Sequence, residues 1–387
     1  MFSSAEPGWH KLRQDMAITE QWAYFDHAAV SPLSRTTAGA IGTWLRQATE
    51  EGDTVWPEWA ARLEQLRASA ARLVAASPDE IALVPNTTHG ITMIAEGWPW
   101  QEGDNLVTLA NEFPSNLYPW IHLRDRGVEC RRLNVNGGRV DYEQLAAACD
   151  ARTRIVSVSW IGYGTGFRVD VGRVAEIAHR CGACFFLDAI QGLGVFPLDV
   201  HAVGVDFLAA DGHKWMMGPE GAGLLFVRRD LLNELRPLCI GWNSVQHRYD
   251  FSHIDLQLRA EAARYEGGTM NMAGFHGLAA SLDQLQRIGA GPQDSAVGER
   301  ILELRGYAVE RLSRLSVEVL TSDAANERSG IVVFDVSGVP AETVRDRCRR
   351  EGIVVSCRGG GVRISPHAYN TQDEIDQLIA VVAELAS

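Results

Sequence analysis

A carboxylate, an amide and a lysine fall within one stretch of the chain, at Asp188, Gln191 and Lys214. Residues 184–187 form a short apolar run that stops at Asp188, and residues 207–210 form a second that leads to His213 and Lys214. The glycine-rich turn 218–223 then feeds a third run at 224–227. Apolar runs of this length, bounded by turn residues, read as buried strands. Their polar ends lie where open α/β sheets gather ligands, outside the carboxyl ends of the strands. A lysine amine forms a Schiff base, a carboxylate keeps a pyridine nitrogen protonated, and an amide donates to a phenolic oxygen. Pyridoxal phosphate needs all three. Taken singly, each is an ordinary polar residue at a loop mouth; it is the set that points to the cofactor.

The surrounding elements must hold that set in place. Residues 1–20 read as an N-terminal arm. Two amphipathic helices follow at about 36–51 and 57–76, the second with Pro57 in its first turn and Leu63, Leu66 and Leu73 on one stripe. Residues 81–84 read as a strand, and Asn86, Thr87 and Thr88 then open a helix that runs to about residue 98. Free N–H groups beside hydroxyls at a helix start make an anion site, although a capping threonine gives the same pattern. Further strands are expected at 105–110 and 154–160, with a helix at 170–181 between the last of these and the opening stretch. The chain is then mainly irregular to residue 263, and a helix covers 273–288. From the turn at 289–292 onward the reading is helix 295–315, strand 331–336, helix 341–351 and strand 353–355, a smaller α+β unit.

Composition narrows the classes. A chain of 387 residues can bury one large core and a second, smaller one. A net charge of -13 argues against a nucleic-acid partner or an anionic membrane surface. No apolar run approaches a bilayer span, and the N-terminal residues lack a secretory apolar region, so a cytoplasmic protein is expected. The seven cysteines are scattered and read as reduced thiols, with Cys181 and Cys184 as packing residues despite their CxxC spacing. No metal site is expected.

The stretch 185–227 resembles the active-site segment of class V aminotransferase and cysteine desulfurase-like enzymes, within fold type I of the pyridoxal-phosphate proteins. The likeness extends from about residue 24 to 370. It implies an α/β fold whose large domain, residues 21–288, holds a mostly parallel seven-stranded sheet flanked by helices. A small C-terminal α+β domain, 289–387, follows, and the arm packs against it. The resemblance implies that Lys214 carries the cofactor, Asp188 meets its ring nitrogen and Gln191 its phenolic oxygen. It places Thr87 and Thr88 at the phosphate and His213 near the cofactor, and puts Phe113 where desulfurases stack a histidine on the ring. His27 and Ala29, in the segment Tyr24-Phe25-Asp26-His27-Ala28-Ala29, line the substrate side. Arg363 grips the substrate's α-carboxylate, with Arg358 as a second candidate. Thr269, in a segment similar to the family's E-x-G-T-x-N, reaches the neighbouring subunit's phosphate, which implies a homodimer with shared sites.

The chain also departs from the family pattern. Asp211 stands where desulfurases usually place a phosphate-binding serine, and a carboxylate there repels a phosphate unless neutralised or turned away. Ile161 and Gly162 replace the polar residues many relatives carry. The segment 356–363 is compact and glycine-rich, without the longer loop that carries a nucleophilic cysteine, so Cys357 reads as a packing residue. The expected function is therefore that of an enzyme acting on an amino acid, an aminotransferase or a related Cα/Cβ lyase. Alternatives are sulfur mobilisation of the cysteine desulfurase or selenocysteine lyase type, and a non-catalytic pyridoxal-phosphate-binding protein. A dinucleotide-binding reading is weak, because residues 218–223 lack the G-x-G-x-x-G spacing.

Overall fold

The computed structural model of the protein describes residues 8–135 and 137–386; residues 1–7 of the expected arm lie outside the described residues. A two-residue strand β1 (Ala23–Tyr24) precedes the main sheet. Seven strands form that sheet: β2 (Ile81–Val84), β3 (Asn105–Leu109), β4 (Glu129–Leu133), β5 (Thr153–Ser159), β6 (Cys184–Asp188), β7 (Phe207–Asp211) and β8 (Gly223–Val227). Their order is β2-β8-β7-β6-β5-β3-β4. Only β8 runs against the others, pairing antiparallel with β2 and β7. The remaining pairs are parallel. The expected mostly parallel sheet of seven strands is therefore present.

Both faces of this sheet are covered, which is why its strands are near-continuous apolar runs. Alternation along each strand still sorts the side chains between two cores. Phe185 and Leu187 join the larger cluster with Val156 and Val158, whereas Phe186 joins a second cluster with Ile155 and Leu225. Strand β4 went unread from sequence because it lies at the sheet edge, and its residues Glu-Cys-Arg-Arg-Leu are not fully buried. Charged side chains on an edge strand hide the apolar signal and block further pairing.

The small domain has an antiparallel sheet of β9 (Val317–Val319), β10 (Val332–Val336), β12 (Ser356–Arg358) and β13 (Gly361–Ile364), in the order β12-β13-β10-β9. Between β10 and β12, strand β11 (Ile353–Val354) pairs instead with β1, in parallel. Helices Ala296–Leu312, Ala341–Arg350 and Gln372–Leu385 supply Leu304, Val344 and Leu378 to its core. Ala23 and Phe25, expected within the large domain, are packed in this small-domain core. Helix Gly8–Asp15 bridges both units: Leu12 is buried with the large-domain cluster, while Arg13 reaches Glu374 at 2.9 Å. Among the described residues no helix is long and apolar enough to cross a membrane.

Candidate active site

A cavity of about 270 Å³ opens at the carboxyl ends of the parallel strands. Thr87 follows β2, Phe113 follows β3, Ser159 ends β5, Asp188 ends β6 and Asp211 ends β7; all five line the cavity. The structure brings together nine of the eleven residues singled out in sequence: Ala29, Thr87, Thr88, Phe113, Asp188, Gln191, His213, Lys214 and Arg363. Arg358 is there as well.

One wall is built by the large-domain sheet. Helix Thr87–Gly97 lies so close on β7 that a Cβ at Gly90 would come within 2.8 Å of Ala209 Cβ. That approach lets the Asp211 N–H donate to Thr87 Oγ1 at 2.9 Å. Asn86 Oδ1 accepts from the His89 N–H and caps the helix. The Thr87 and Thr88 N–H groups stand outside the helical ladder and mark an anion site. Thr88 Oγ1 donates to Ser115 Oγ at 2.8 Å, which adds a second hydroxyl there.

Lys214 Nζ stands 5.7 Å from the centroid of the Phe113 ring and makes no ion pair among the described residues. Burial brings its pKa down to about 8, against the opposing pull of Asp188. Burial likewise pushes Asp188 up to about 6, while the Ile190 N–H, 3.1 Å away, favours its charged form. Gln191 is held at both ends of its amide. The Trp215 indole N–H can only donate, so the atom 2.8 Å from it is Oε1, and Nε2 is left to donate to Ala28 O at 2.9 Å. His213 Nδ1 lies 3.0 Å from Asp211 Oδ2, but their alignment is not that of a hydrogen bond. The Asp211 carboxylate thus faces His213, and its Oδ1 has no hydrogen-bond partner among the described residues.

Sequence reading missed Glu112. It is buried beyond the Phe113 turn, where Oε1 accepts from the Ser159 N–H at 2.7 Å and Oε2 accepts from the Ser159 hydroxyl. Burial, with the charge of Asp188 adding to it, raises Glu112 to about 7. Its place beside the aromatic that lines the cavity was the available signal.

The opposite wall comes from the N-terminal segment and the small domain. Arg363 is buried, with three contacts: Nη2 to Asp26 Oδ1 at 3.0 Å, Nη1 to Tyr163 O at 2.9 Å and Nε to Ser356 Oγ at 3.2 Å. A guanidinium carries five N–H donors, so one on each terminal nitrogen remains for a carboxylate.

Two expected site residues lie elsewhere. His27 is fully buried, with Nδ1 bonded to Ser365 O at 2.8 Å and Nε2 to the Tyr369 hydroxyl at 2.7 Å. A carbonyl only accepts, so Nδ1 carries the proton and Nε2 receives from the tyrosine. Both ring nitrogens are committed, and burial pushes the pKa well below the ordinary histidine value. His27 thus fastens the N-terminal segment to the small domain; its neighbours Ala28 and Ala29 are the ones that line the cavity. Thr269 is exposed and does not line the cavity of its own chain. Cys357 does not line it either; charged residues of helix Ala341–Arg350, among them Arg345 and Glu342, are its electrostatic neighbours.

These residues fit pyridoxal phosphate: an amine without a counter-ion, an aromatic face, a carboxylate and a helix start stand around one space. Bound there, the cofactor supplies an aldehyde carbon for the amine and a ring that draws electrons from bonds at a substrate's α-carbon. The comparisons agree. A probable cysteine desulfurase of Methanothermobacter thermautotrophicus is 32% identical over 97% of each chain. A cysteine desulfurase of Enterobacter sp. is 31% identical over 92% of this chain and 91% of its own. The apo structure of the cysteine desulfurase of Thermococcus onnurineus superposes with a TM-score of 0.87, at 26% identity, over 97% of both chains. A family model described as aminotransferase class-V matches residues 23–378. By fold, site and relatives alike, the chain belongs to the class V aminotransferase family of pyridoxal-phosphate enzymes.

Proposed function

We propose that the protein cleaves the C–S bond of cysteine or a close analogue, the desulfurase-type reading that stood in sequence as the alternative to an aminotransferase or related Cα/Cβ lyase. The observation that carries it is the pairing, across one cavity, of the Lys214 amine with the free edge of Arg363, in a chain whose relatives at 31% and 32% identity are cysteine desulfurases. Arg363 holds the α-carboxylate and so fixes which substrate bond stands over the ring. Lys214, with its pKa down to about 8, exchanges a proton at the α-carbon near neutral pH. Asp188 keeps the ring nitrogen protonated, and Phe113 covers one ring face.

None of the seven cysteines lines the cavity. In this reading the sulfur therefore passes to a thiol supplied from outside: cysteine plus an acceptor thiol gives alanine plus a persulfide on that acceptor. The test is to incubate the loaded enzyme with L-cysteine, with and without dithiothreitol, and to measure alanine, pyruvate and sulfide. Alanine in step with thiol-dependent sulfide supports the reading. Pyruvate without alanine would point to β-elimination, and turnover only with an added 2-oxo acid would restore transamination.

The active unit in this proposal is a homodimer in which Thr269 of each subunit serves the other's phosphate site; its exposure and its absence from the lining of its own cavity support that role. Mixing inactive Lys214→Ala with weakly binding Thr269→Ala subunits should regenerate activity. A fully active monomer would defeat the shared site.

A further inference from the structure

Asp211 is a carboxylate at an anion site. Alternation puts its side chain on the same face of β7 as Ala209. Helix Thr87–Gly97 lies on that face, since Ala209 meets Gly90 there and is packed with Ile91 and Ile94. Two residues further along β7, the Asp211 side chain stands at the start of the helix, and its own N–H is bonded to Thr87 Oγ1 at 2.9 Å. Asp211 is buried and lines the cavity together with Thr87 and Thr88. The carboxylate has therefore not turned away from the phosphate position.

Its surroundings leave the carboxylate under-partnered. Oδ1 has no hydrogen-bond partner among the described residues, so it accepts from neither threonine N–H. Oδ2 faces His213 Nδ1 at 3.0 Å but out of hydrogen-bond alignment, and that nitrogen also lacks a hydrogen-bond partner. Gly223 lies opposite Asp211 on β8, and the ionisable residue on β6 is Asp188, opposite Ala209. The helix contributes Thr87, and the loop after β7 contributes His213 and Lys214, whose amine feels the Asp211 charge. Lys214 is taken by the cofactor's aldehyde carbon, and Arg358 and Arg363 stand on the opposite wall. A phosphate carrying about two negative charges would meet a third in the same buried space.

We infer that the cofactor phosphate is held here as its monoanion, with the remaining phosphate O–H donating to Asp211 Oδ1. Asp211 is then a positioning residue that sets the charge state of the bound cofactor and makes its retention depend on pH. Like charges sharing one buried site force a proton onto one of them, and that proton turns repulsion into a charge-assisted O–H···O bond. A phosphate monoester loses its second proton at about pH 6. Above that pH each cofactor that binds must take one proton from solvent, so affinity falls as pH rises. A serine or an amide in the same place would donate to the dianion and need no such proton. For this the phosphate must stand at the Thr87 helix start.

The test follows the phosphorus NMR resonance of pyridoxal phosphate bound to the enzyme, calibrated by the free cofactor's own pH titration. At about pH 8 the wild type should resonate at the monoanion position and Asp211→Asn at the dianion position. Calorimetry gives a second readout: the ratio of wild-type to variant dissociation constants should rise about tenfold per pH unit above about pH 6. Equal melting of the two apo proteins would show that the strand end is intact, and Asp211→Ser makes the same comparison should the amide variant melt lower. A dianion resonance in the wild type overturns the inference even where affinity falls with pH, because the proton then sits on His213 or another group. A monoanion resonance in both proteins overturns it too, since the proton would not depend on Asp211. Thr88→Val separates the two levels. If it moves the resonance and neither Asp211 variant does, only the shared proton falls. If none of the three moves it, the phosphate is not at the helix start.

Discussion

The two walls of the cavity are held in different ways. On the sheet side, Asp188, Asp211 and Lys214 lie within one stretch of chain and are fixed by neighbouring strands. On the other side, Arg363 takes its position from Asp26, Tyr163 and Ser356, and the first two are 337 and 200 residues away in sequence. The sheet wall is thus complete once the large domain has formed. The arginine wall exists only when the N-terminal segment, the loop after β5 and the small domain have met. Chemistry at the cofactor and grip on the substrate should therefore be separable by mutation.

The largest effect is expected on the sheet wall. Lys214→Ala should abolish cofactor that borohydride can trap, with no compensating label on another lysine; peptide mapping of the reduced protein checks this. Labelling elsewhere would remove Lys214 from its place. On the arginine wall, Arg363→Gln should leave trapping intact and lower kcat/KM by about a hundredfold, the scale of a lost charged, forked contact. If trapping fell as well, the two walls would not be independent.

The third expectation concerns charge on the sheet wall without the cofactor. Asp188 has a folded-state pKa of about 6 against 3.8 when free, so between those values the folded protein binds more protons than the unfolded one. Stability contributed by this group is therefore present below pH 4 and falls as pH rises toward 6, by about 2 kcal/mol across the window. Asp188→Asn should remove that part of the slope from urea titrations of the apo protein. Glu112, raised to about 7, keeps a residual slope in the same direction. An unchanged slope in the variant would mean that the Asp188 carboxylate is better solvated than its burial implies.

The same contrast explains what sequence could show. Asp188, Lys214 and the Thr87 helix start were legible because their signal is local: an apolar run, a stop, and the residue just past it. The pairing of Arg363 with Asp26 was not, since no periodicity relates residues so far apart. His27 was misplaced for a related reason. It shares a short segment with Ala28 and Ala29, but the chain turns there, the imidazole goes to Tyr369 and Ser365, and which residues face the cavity depends on the small domain. Strand β4 escaped because an edge strand with charged side chains lacks the apolar run that marks the inner strands.

The smallest effect is expected at Trp215, which touches the sheet wall from behind. Its indole N–H bonds Gln191 Oε1 at 2.8 Å and so decides which end of the amide faces Ala28. Its backbone carbonyl meets His367 Nε2 at 3.2 Å, and its ring stacks on the same histidine. Trp215 therefore connects the amide of one wall to the segment that carries Tyr369, and could couple walls that otherwise act apart. Trp215→Phe keeps an aromatic ring but removes the donor. It should cost about 1–2 kcal/mol, because Gln191 Oε1 is left buried and unpaired, and should lower kcat several-fold. Since the amide belongs to the sheet wall, KM should hold nearly steady while the absorbance of the loaded enzyme shifts. A rise in KM with an unchanged spectrum would show instead that Trp215 serves the arginine wall through His367, and that the two sides are mechanically joined.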